Sequence, residues 1–443
     1  MSPPVGSIRS SNPVLNKIWQ ATNTSYLSNL FGFPTDCPHR EKCGWTNDAH
    51  IANETGLYNF DGITIYEKWL ADHRYEQQAN GVLPAFIPCA DGEGYNWNNS
   101  NGVDITSSIA IIPWNIYLFY GDQRLLESCY YNIKRYVNHI NDISVSGLTD
   151  WGLGDWTPVN SVASKEFICS TYFFIDATIL AKTAKLFGKE EDYETYIALA
   201  EKIKNAINKK YLNTGTGIYA SGLQTELSMA LKYGLVPDSL TLKVIENLAK
   251  KVIADDTHID VGLHGTKTIL NALSENGYAD LAYQVALQET YPSWGWWIVN
   301  GATTLYERWP LNPGRGTLNH IMMGEISAWF YKALGGLYPD EEQPGFKNVV
   351  LKPNFVSGLD QFEAKHEGPY GTIVSSWEKS GGKVVYNVSI PPNSTATLHL
   401  NAKEVFESEK GLSENKYISI KKSEKPFWII CMEAGDYQFS IVE

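Results

Sequence analysis

A helical spacing of apolar residues constrains this chain more than any other feature. Between Glu190 and Tyr211, apolar positions recur every three or four residues: Tyr193, Ile197, Ala200, Ile203, Ile207 and Tyr211. Glu and Lys fill the other face. Such a helix must bury its apolar stripe against another element. Related patterns predict helices over 12–30, 46–58, 63–78, 107–120, 123–140, 223–233, 239–253, 262–273, 278–290, 301–309 and 320–334. Pro13 suits the start of the first, where a missing N–H costs little. Turns rich in Gly, Asn and Asp separate the segments, and no short exact repeat runs through them, so a solenoid is not indicated. Periodicity alone supports one large all-helical domain.

The pattern stops at Gly335-Gly336-Leu337-Tyr338-Pro339. Strand-like runs follow at 348–352, 371–378, 383–390, 395–400, 417–421, 428–432 and 437–442. Val384, Tyr386, Val388 and Ile390 would share one strand face. Ser380-Gly381-Gly382 signals a hairpin, and Pro391-Pro392 ends a strand. The expected division is a helical domain over 1–338 and a small antiparallel β-sandwich over 339–443. All tryptophans except Trp377 and Trp428 precede the boundary, which puts the chemistry in the helical part.

Composition excludes several function classes. The net charge is −13 over 443 residues, with no Lys/Arg-rich run to contact a nucleic-acid backbone. No apolar run is expected to span a membrane. Met1 is followed by Ser-Pro-Pro-Val-Gly-Ser, which lacks a secretory signal pattern. The six cysteines are scattered and read as mostly buried thiols. The nine histidines show no zinc spacing, so neither a catalytic metal nor a cofactor is expected.

The stretch from Phe33 to Asp48 is unusual. Pro34, Pro38 and Gly44 make it a loop, and it carries Asp36, Arg40, Glu41, Trp45 and Asp48. Carboxylates beside aromatic rings suit a sugar: the acids bond hydroxyls and the rings pack on C–H faces. The plain alternative is a structural loop in which Asp36 and Asp48 cap helices and Arg40 pairs with Glu41. A second stretch, from Tyr291 to Trp309, sets Glu307 among tryptophans, glycines and a proline.

Asp-Cys-Pro-x-Arg-Glu followed by Gly-Trp-Thr and an Asp resembles the catalytic loop of family 78 glycoside hydrolases, the inverting α-L-rhamnosidases. Tyr-Pro-Ser-Trp-Gly and Gly-Ala-Thr-Thr-x-x-Glu resemble a second motif of that family. The resemblance implies an (α/α)6 barrel followed by a β-sandwich. It implies Glu41 as general acid and Glu307 as general base, with Asp36, Arg40, Trp45 and Asp48 around the sugar. Many members carry Arg-Asp-Glu-Arg where this chain has the shorter Arg40-Glu41-Lys42, and Tyr306 stands where a Trp is usual. Gly154-Asp155-Trp156 is similar to a family loop whose Asp meets a sugar hydroxyl. Asn319-His320 matches an Asn-His pair, making His320 a substrate donor. Asp104 sits where the family often has Asp-Trp-Gly, with Ile105 in place of the Trp. Trp294 is expected to line the pocket, and one of Trp296 and Trp297 can belong to the core. Glu325 is the rival base. Asp260 and His264 flank a turn of unassigned role, and the Asn-rich run at 96–101 is expected to be a rim loop. The implied partner is a rhamnose-containing glycan or glycoside. The alternatives are an (α/α)6 glycosidase of different sugar specificity and an inactive sugar-binding protein.

Overall fold

The computed structural model describes residues 3–90, 92–95, 101–312, 314–424 and 426–442. Most of the Asn-rich run lies outside them. Six helices form a closed inner ring, each packing on the next: Thr46–Asn59, Ser108–Tyr120, Lys165–Leu186, Gln224–Lys232, Leu263–Glu275 and Glu325–Trp329, which returns to the first. An outer helix precedes each in the chain: Pro13–Ser28, Ile63–Glu76, Arg124–Ile143, Glu190–Tyr211, Thr241–Ala254 and Ala279–Ala286. The helical part is thus an (α/α)6 barrel. Asn12 starts the first helix, its side chain accepting from the N–H groups of Val14 and Leu15.

Burial separates the two rings. The outer Arg124–Ile143 helix buries one stripe, including Leu126, Cys129, Ile133, Val137 and Ile140. The inner Thr46–Asn59 helix buries nearly every residue, Asn47, Asp48, His50 and Asn53 among them. A helix covered on both sides has no polar outer face to show, so its amphipathic pattern is weak; four of the inner helices were still legible, at 46–58, 107–120, 223–233 and 262–273. Lys165–Leu186 went unpredicted for this reason. Contrary to expectation, it is long and apolar enough to cross a membrane by length and composition, yet 83% of that window is buried inside the barrel. Its apolarity serves two-sided packing.

The connections decide where a site can form. From an inner helix to the next outer one the chain turns quickly, as at 60–62, 121–123 and 187–189. From an outer helix into the next inner one it takes long loops: 29–45, 144–164, 255–262 and 300–324. These loops gather at one mouth, at the N-termini of the inner helices, where unpaired N–H groups favour negative charge. The segment 301–309 is irregular, where a helix was expected. The 320–334 helix shortens to Glu325–Trp329 followed by a π-helical turn, Phe330–Leu334.

The C-terminal part is a two-sheet sandwich. One sheet has the order Gly6–Ser10, Gln361–Gly368, Gly371–Ser380, Lys383–Ile390, Gly435–Val442, Glu404–Glu407. The other runs Ile418–Glu424, Phe427–Met432, Thr395–Asn401, Asn348–Leu351, Leu337–Pro339, with one parallel pair. Gly6–Ser10 therefore belongs to the sandwich: Ile8 opposes Ala364 in antiparallel register. The sequence assigned it to the barrel, because a five-residue strand burying only Ile8 and Ser10 carries too little alternation. The two parts share one core. His366 donates through Nδ1 to the Tyr58 carbonyl at 3.1 Å, Tyr58 Oη to the Leu337 carbonyl at 2.6 Å, and Trp377 Nε1 to the Leu334 carbonyl at 2.9 Å.

Candidate active site

The Phe33–Asp48 loop is pinned at several points. The Asp36 N–H donates to the Cys43 carbonyl at 3.0 Å, and the Cys43 N–H returns to Asp36 Oδ1 at 2.9 Å. Lys42 turns the chain at φ 59°, and the Glu41 N–H points at Cys37 Sγ, 3.3 Å away. Cys37 and Cys43 stand as thiols. Gly44 lies against the 85–87 segment so closely that a Cβ would sit 1.9 Å from the Ile87 carbonyl oxygen. Gly44 and Ile87 are joined by a 2.9 Å backbone bond, and Thr46 and Ala85 by one of 3.0 Å. This clamp fixes Trp45 between them, edge-on to Phe86.

Seven of the sequence-assigned residues converge at the mouth. Trp45 Nε1 donates to Glu41 Oε2 at 2.9 Å. Arg40 Nη2 lies 2.6 Å from Glu41 Oε1 and 3.4 Å from Glu307 Oε2. Arg40 Nη1 donates to the Arg315 carbonyl. Glu307 is buried, whereas Glu41 is 36% exposed. The Thr317 N–H fixes Glu307 Oε2 at 2.7 Å, and the Glu307 N–H donates to the Thr317 carbonyl at 3.0 Å. With His320 N–H on the Leu305 carbonyl, this makes a two-stranded clasp that delivers Glu307 and His320 to the same mouth.

Beneath them lie Asp36, Asp48 and His320. Burial pushes the Asp36 carboxyl up to about 6; the Cys37 thiol pulls it down and the Glu41 charge pushes it further up. Burial drives Asp48 well above the usual carboxylate range, and the charges of Asp36, Glu41 and Glu307 add to it. Burial also lowers His320 to about 3, with Arg40 adding to the effect. His320 Nδ1 is 3.2 Å from Asp48 Oδ1 and receives the Met322 N–H at 3.4 Å. That geometry has the form of an ion pair, but burial disfavours both charges, Asp48 Oδ1 is buried without a hydrogen-bond partner, and Nδ1, taking the Met322 N–H, is the acceptor nitrogen of a neutral imidazole. The tautomer assigned this way leaves Nε2–H facing Asp36 Oδ2 at 3.9 Å. Asp36 Oδ2 is buried without a protein hydrogen bond. A donor and an acceptor thus stand unsatisfied at a spacing that a hydroxyl can bridge.

Three assigned site residues have other work. Asp155 accepts from Thr225 Oγ1 at 2.6 Å and from the N–H groups of Gly262, His264 and Gly265 at 2.8, 2.7 and 3.2 Å. Its two oxygens cap the Leu263–Glu275 helix, whose own cap, Gly262, has no side chain. A carboxylate offers about four acceptor positions, and in Asp155 protein donors take four. Asp104 is also fully buried; it takes the N–H groups of Leu153 and Gly154, the latter at 2.6 Å. A Cβ on Gly152 would fall 2.0 Å from its Oδ1. Trp294 is fully buried, donating to the Met323 carbonyl and packing edge-on to Trp309. It and Trp297, which stacks on Trp309, are core. Trp156, by contrast, is 42% exposed.

The remaining candidates are also engaged by protein groups. Glu325 is buried between Lys332 at 2.6 Å and Lys267 at 3.0 Å, with Glu54 completing a four-charge group. Burial disfavours the Glu54 charge, but Lys267 and Lys332 outweigh it and hold its pKa low. Asp260 accepts from the backbone and hydroxyl of Ser161 and from the Asn160 N–H. His264 bonds the Tyr172 hydroxyl through Nδ1. Sequence reasoning missed Thr317 and Arg315, because a backbone N–H or carbonyl leaves no mark on residue type. Among the described residues no group of three or more His, Cys, Asp or Glu is arranged to hold a metal.

Residues 3–334 match the family described as bacterial alpha-L-rhamnosidase 6 hairpin glycosidase domain, and residues 336–413 the bacterial alpha-L-rhamnosidase C-terminal domain. A protein named alpha-L-rhamnosidase from Formosa agariphila is 31% identical over 98% of this chain and 48% of its own length. One from Alteromonas sp. is 30% identical over 98% of this chain and 48% of its own. This chain thus spans about half the length of those relatives. The structure of α-L-rhamnosidase from Dictyoglumus thermophilum superposes with a TM-score of 0.92 at 32% identity, over 100% of this chain and 50% of that one. A Streptomyces avermitilis α-L-rhamnosidase, solved in complex with L-rhamnose, superposes with a TM-score of 0.91 at 26% identity, over 99% of this chain and 42% of that one. With a family match across nearly the whole barrel, the chain belongs to the bacterial α-L-rhamnosidases.

Proposed function

We propose that this chain hydrolyses terminal α-L-rhamnosyl residues of glycans or glycosides with inversion, Glu41 acting as general acid and Glu307 as general base. One observation carries the reading: two glutamates from separate loops meet across a single guanidinium above an unsatisfied polar recess. A lectin needs no such pair, whereas glycoside hydrolysis needs a carboxyl group on each side of one bond. Glu41, at the open mouth, is set to protonate the departing oxygen, whose aglycone leaves toward solvent. Glu307, buried and fixed by the Thr317 N–H, is set to take a proton from water on the opposite face. Asp36, Asp48, Arg40 and His320 bind ring hydroxyls. Trp45 and the exposed Trp156 bound the ring and the C5 methyl.

The test is a panel of aryl glycosides, α-L-rhamnoside and mannoside included, with proton NMR of the first product. Rhamnoside cleavage releasing the β-anomer first is expected. A mannoside sets a hydroxyl against an apolar wall, and an unpaired buried hydroxyl costs about 1–3 kcal/mol. Rhamnoside should therefore be favoured by roughly ten- to a hundredfold in kcat/KM. Comparable mannoside rates would reassign the sugar. The α-anomer first would replace inversion by retention. No cleavage of any glycoside, with rhamnose still bound, would leave only a binding protein.

A further inference from the structure

At the end of the barrel away from the mouth lies a groove of about 430 Å³, within the range of small-ligand sites, roughly 300–1,000 Å³. Its walls are the later turns of the inner helices Ser108–Tyr120 and Lys165–Leu186 and the first turns of the outer helix Glu190–Tyr211. The inner helices start at the mouth, so Lys182 and Lys185 stand roughly 25–30 Å down the second of them, at about 1.5 Å per residue. None of the candidate active-site residues borders the groove. Trp114 and Tyr117 line it although they are only 8% and 5% exposed. A buried indole N–H or phenol O–H usually meets an acceptor. Here neither donates to a protein group among the described residues, and neither atom is wholly enclosed, so both open on the groove. Burial, and then the charges of Glu341 and Glu342, push the Tyr117 pKa up, so its hydroxyl stays a donor. The Lys182 and Lys185 ammonium groups reach over the Trp114 and Tyr193 rings, 5.7 and 5.5 Å from the ring centres. Lys182 also pairs with Glu341 at 2.8 Å, and Glu342 completes the rim. Two ammonium groups thus balance two carboxylates.

We infer that this groove is a second saccharide site, which holds a neutral pyranoside unit of a glycan away from the catalytic mouth. A sugar ring offers acceptors to Trp114 Nε1 and Tyr117 Oη and donors to Glu341 and Glu342, while its C–H faces pack on the Trp114 and Tyr193 rings. An apolar ligand would leave the two buried donors unmade. A charged ligand would lose hydration and find no uncompensated partner, because the charges of the groove already cancel. The place of the groove suits a glycan long enough to touch both ends of the barrel, since binding at one end raises the effective concentration at the other.

The test is fluorine NMR of the protein labelled with 5-fluorotryptophan, in which Trp114→Phe identifies the resonance of Trp114. Titration with methyl β-D-glucoside, methyl β-D-galactoside and methyl α-L-rhamnoside should shift that resonance saturably for at least one of them. Tyr117→Phe removes only the hydroxyl and should weaken that binding by roughly two- to tenfold, the loss of one neutral hydrogen bond. Methyl β-D-glucuronoside should bind less tightly than the glucoside. Turnover of a nitrophenyl rhamnoside by Tyr117→Phe should stay at the wild-type rate, because groove and mouth lie at opposite ends of the barrel. The proposal is overturned by a Trp114 resonance that none of the neutral glycosides moves, by an affinity that Tyr117→Phe leaves unchanged, or by tighter binding of the glucuronoside. A loss of turnover in Tyr117→Phe as large as the loss of binding would show that Tyr117 acts through the fold, and would also overturn it. A resonance that moves with protein concentration instead would make the groove a contact between copies of this chain. The titration needs no cleavage, so glycoside binding in the groove of a protein that hydrolyses no rhamnoside would uphold the groove while removing the rhamnosidase reading.

Discussion

Glu41 and Glu307 share one guanidinium nitrogen, Arg40 Nη2, at 2.6 and 3.4 Å. The sum of those legs, about 6 Å, bounds the separation of the two nearer oxygens. Inverting pairs stand roughly 6.5–9.5 Å apart and retaining pairs roughly 5–5.5 Å. Because the outer oxygens reach beyond the bound, either window can be met, and the anomer released first decides between them.

The two glutamates should respond differently to the leaving group. Glu41→Gln should lower kcat by roughly 10²–10⁴-fold on rhamnosides with sugar or alkyl leaving groups, the usual range for a lost acid or base. It should lower it much less on a nitrophenyl rhamnoside, whose leaving group needs little protonation. Glu307→Gln should slow both by similar factors. Equal losses from Glu41→Gln on the two substrates would remove it from the acid role.

Glu325 should matter for stability and not for turnover. Removing its charge leaves two buried ammonium groups facing Glu54 alone, and breaking a buried pair costs about 3–5 kcal/mol. Urea titration of Glu325→Gln should show a loss of that order, while rates per folded molecule stay near wild type. A stable variant without activity would transfer the base role to Glu325.

Asp155→Ala strips acceptors from three backbone N–H groups and the Thr225 hydroxyl. Each buried unpaired donor costs about 1–3 kcal/mol, less where water enters. A loss above about 3 kcal/mol in denaturant unfolding is expected, with Asp155→Asn milder. If Asp155→Ala instead raised KM at unchanged stability, Asp155 would serve the sugar after all.

His366 should add an acid-sensitive step at the barrel–sandwich junction. Burial holds its pKa near 4, although its bond to the Tyr58 carbonyl favours the charged form. The unfolded chain takes up that proton near pH 6.5 and the folded one near 4, so the unfolded state binds more protons in this window. Its contribution is therefore full above pH 6.5 and lost as pH falls toward 4. Asp36 has the opposite sign, because its pKa is raised, so the net pH profile alone is not diagnostic. His366→Gln keeps a donor for Tyr58 but cannot titrate. Wild type should lose on the order of 2–3 kcal/mol more than the variant between pH 7 and 4. Parallel losses would show that His366 charges without penalty.

The sequence by itself determined the outer helices and four of the inner ones, the change of texture after Gly335, and the two loops that carry Glu41 and Glu307. Each leaves a local mark: a 3.6-residue stripe, a glycine–proline break, or acids crowded with aromatic rings. Only the tertiary structure decided which acids face the mouth. Asp36 and Asp155 look alike in sequence, each an acid in a loop beside an aromatic motif. Asp36 retains an unpartnered oxygen, whereas Asp155 is filled by N–H groups at the start of a helix more than a hundred residues away. Trp294 and Trp156 likewise parted, one into the core and one to the rim. The inner helix Lys165–Leu186 and the strand Gly6–Ser10 were legible only once their partners were in place. Burial and hydrogen-bond satisfaction depend on what the rest of the chain brings to a residue, and a local pattern does not encode that.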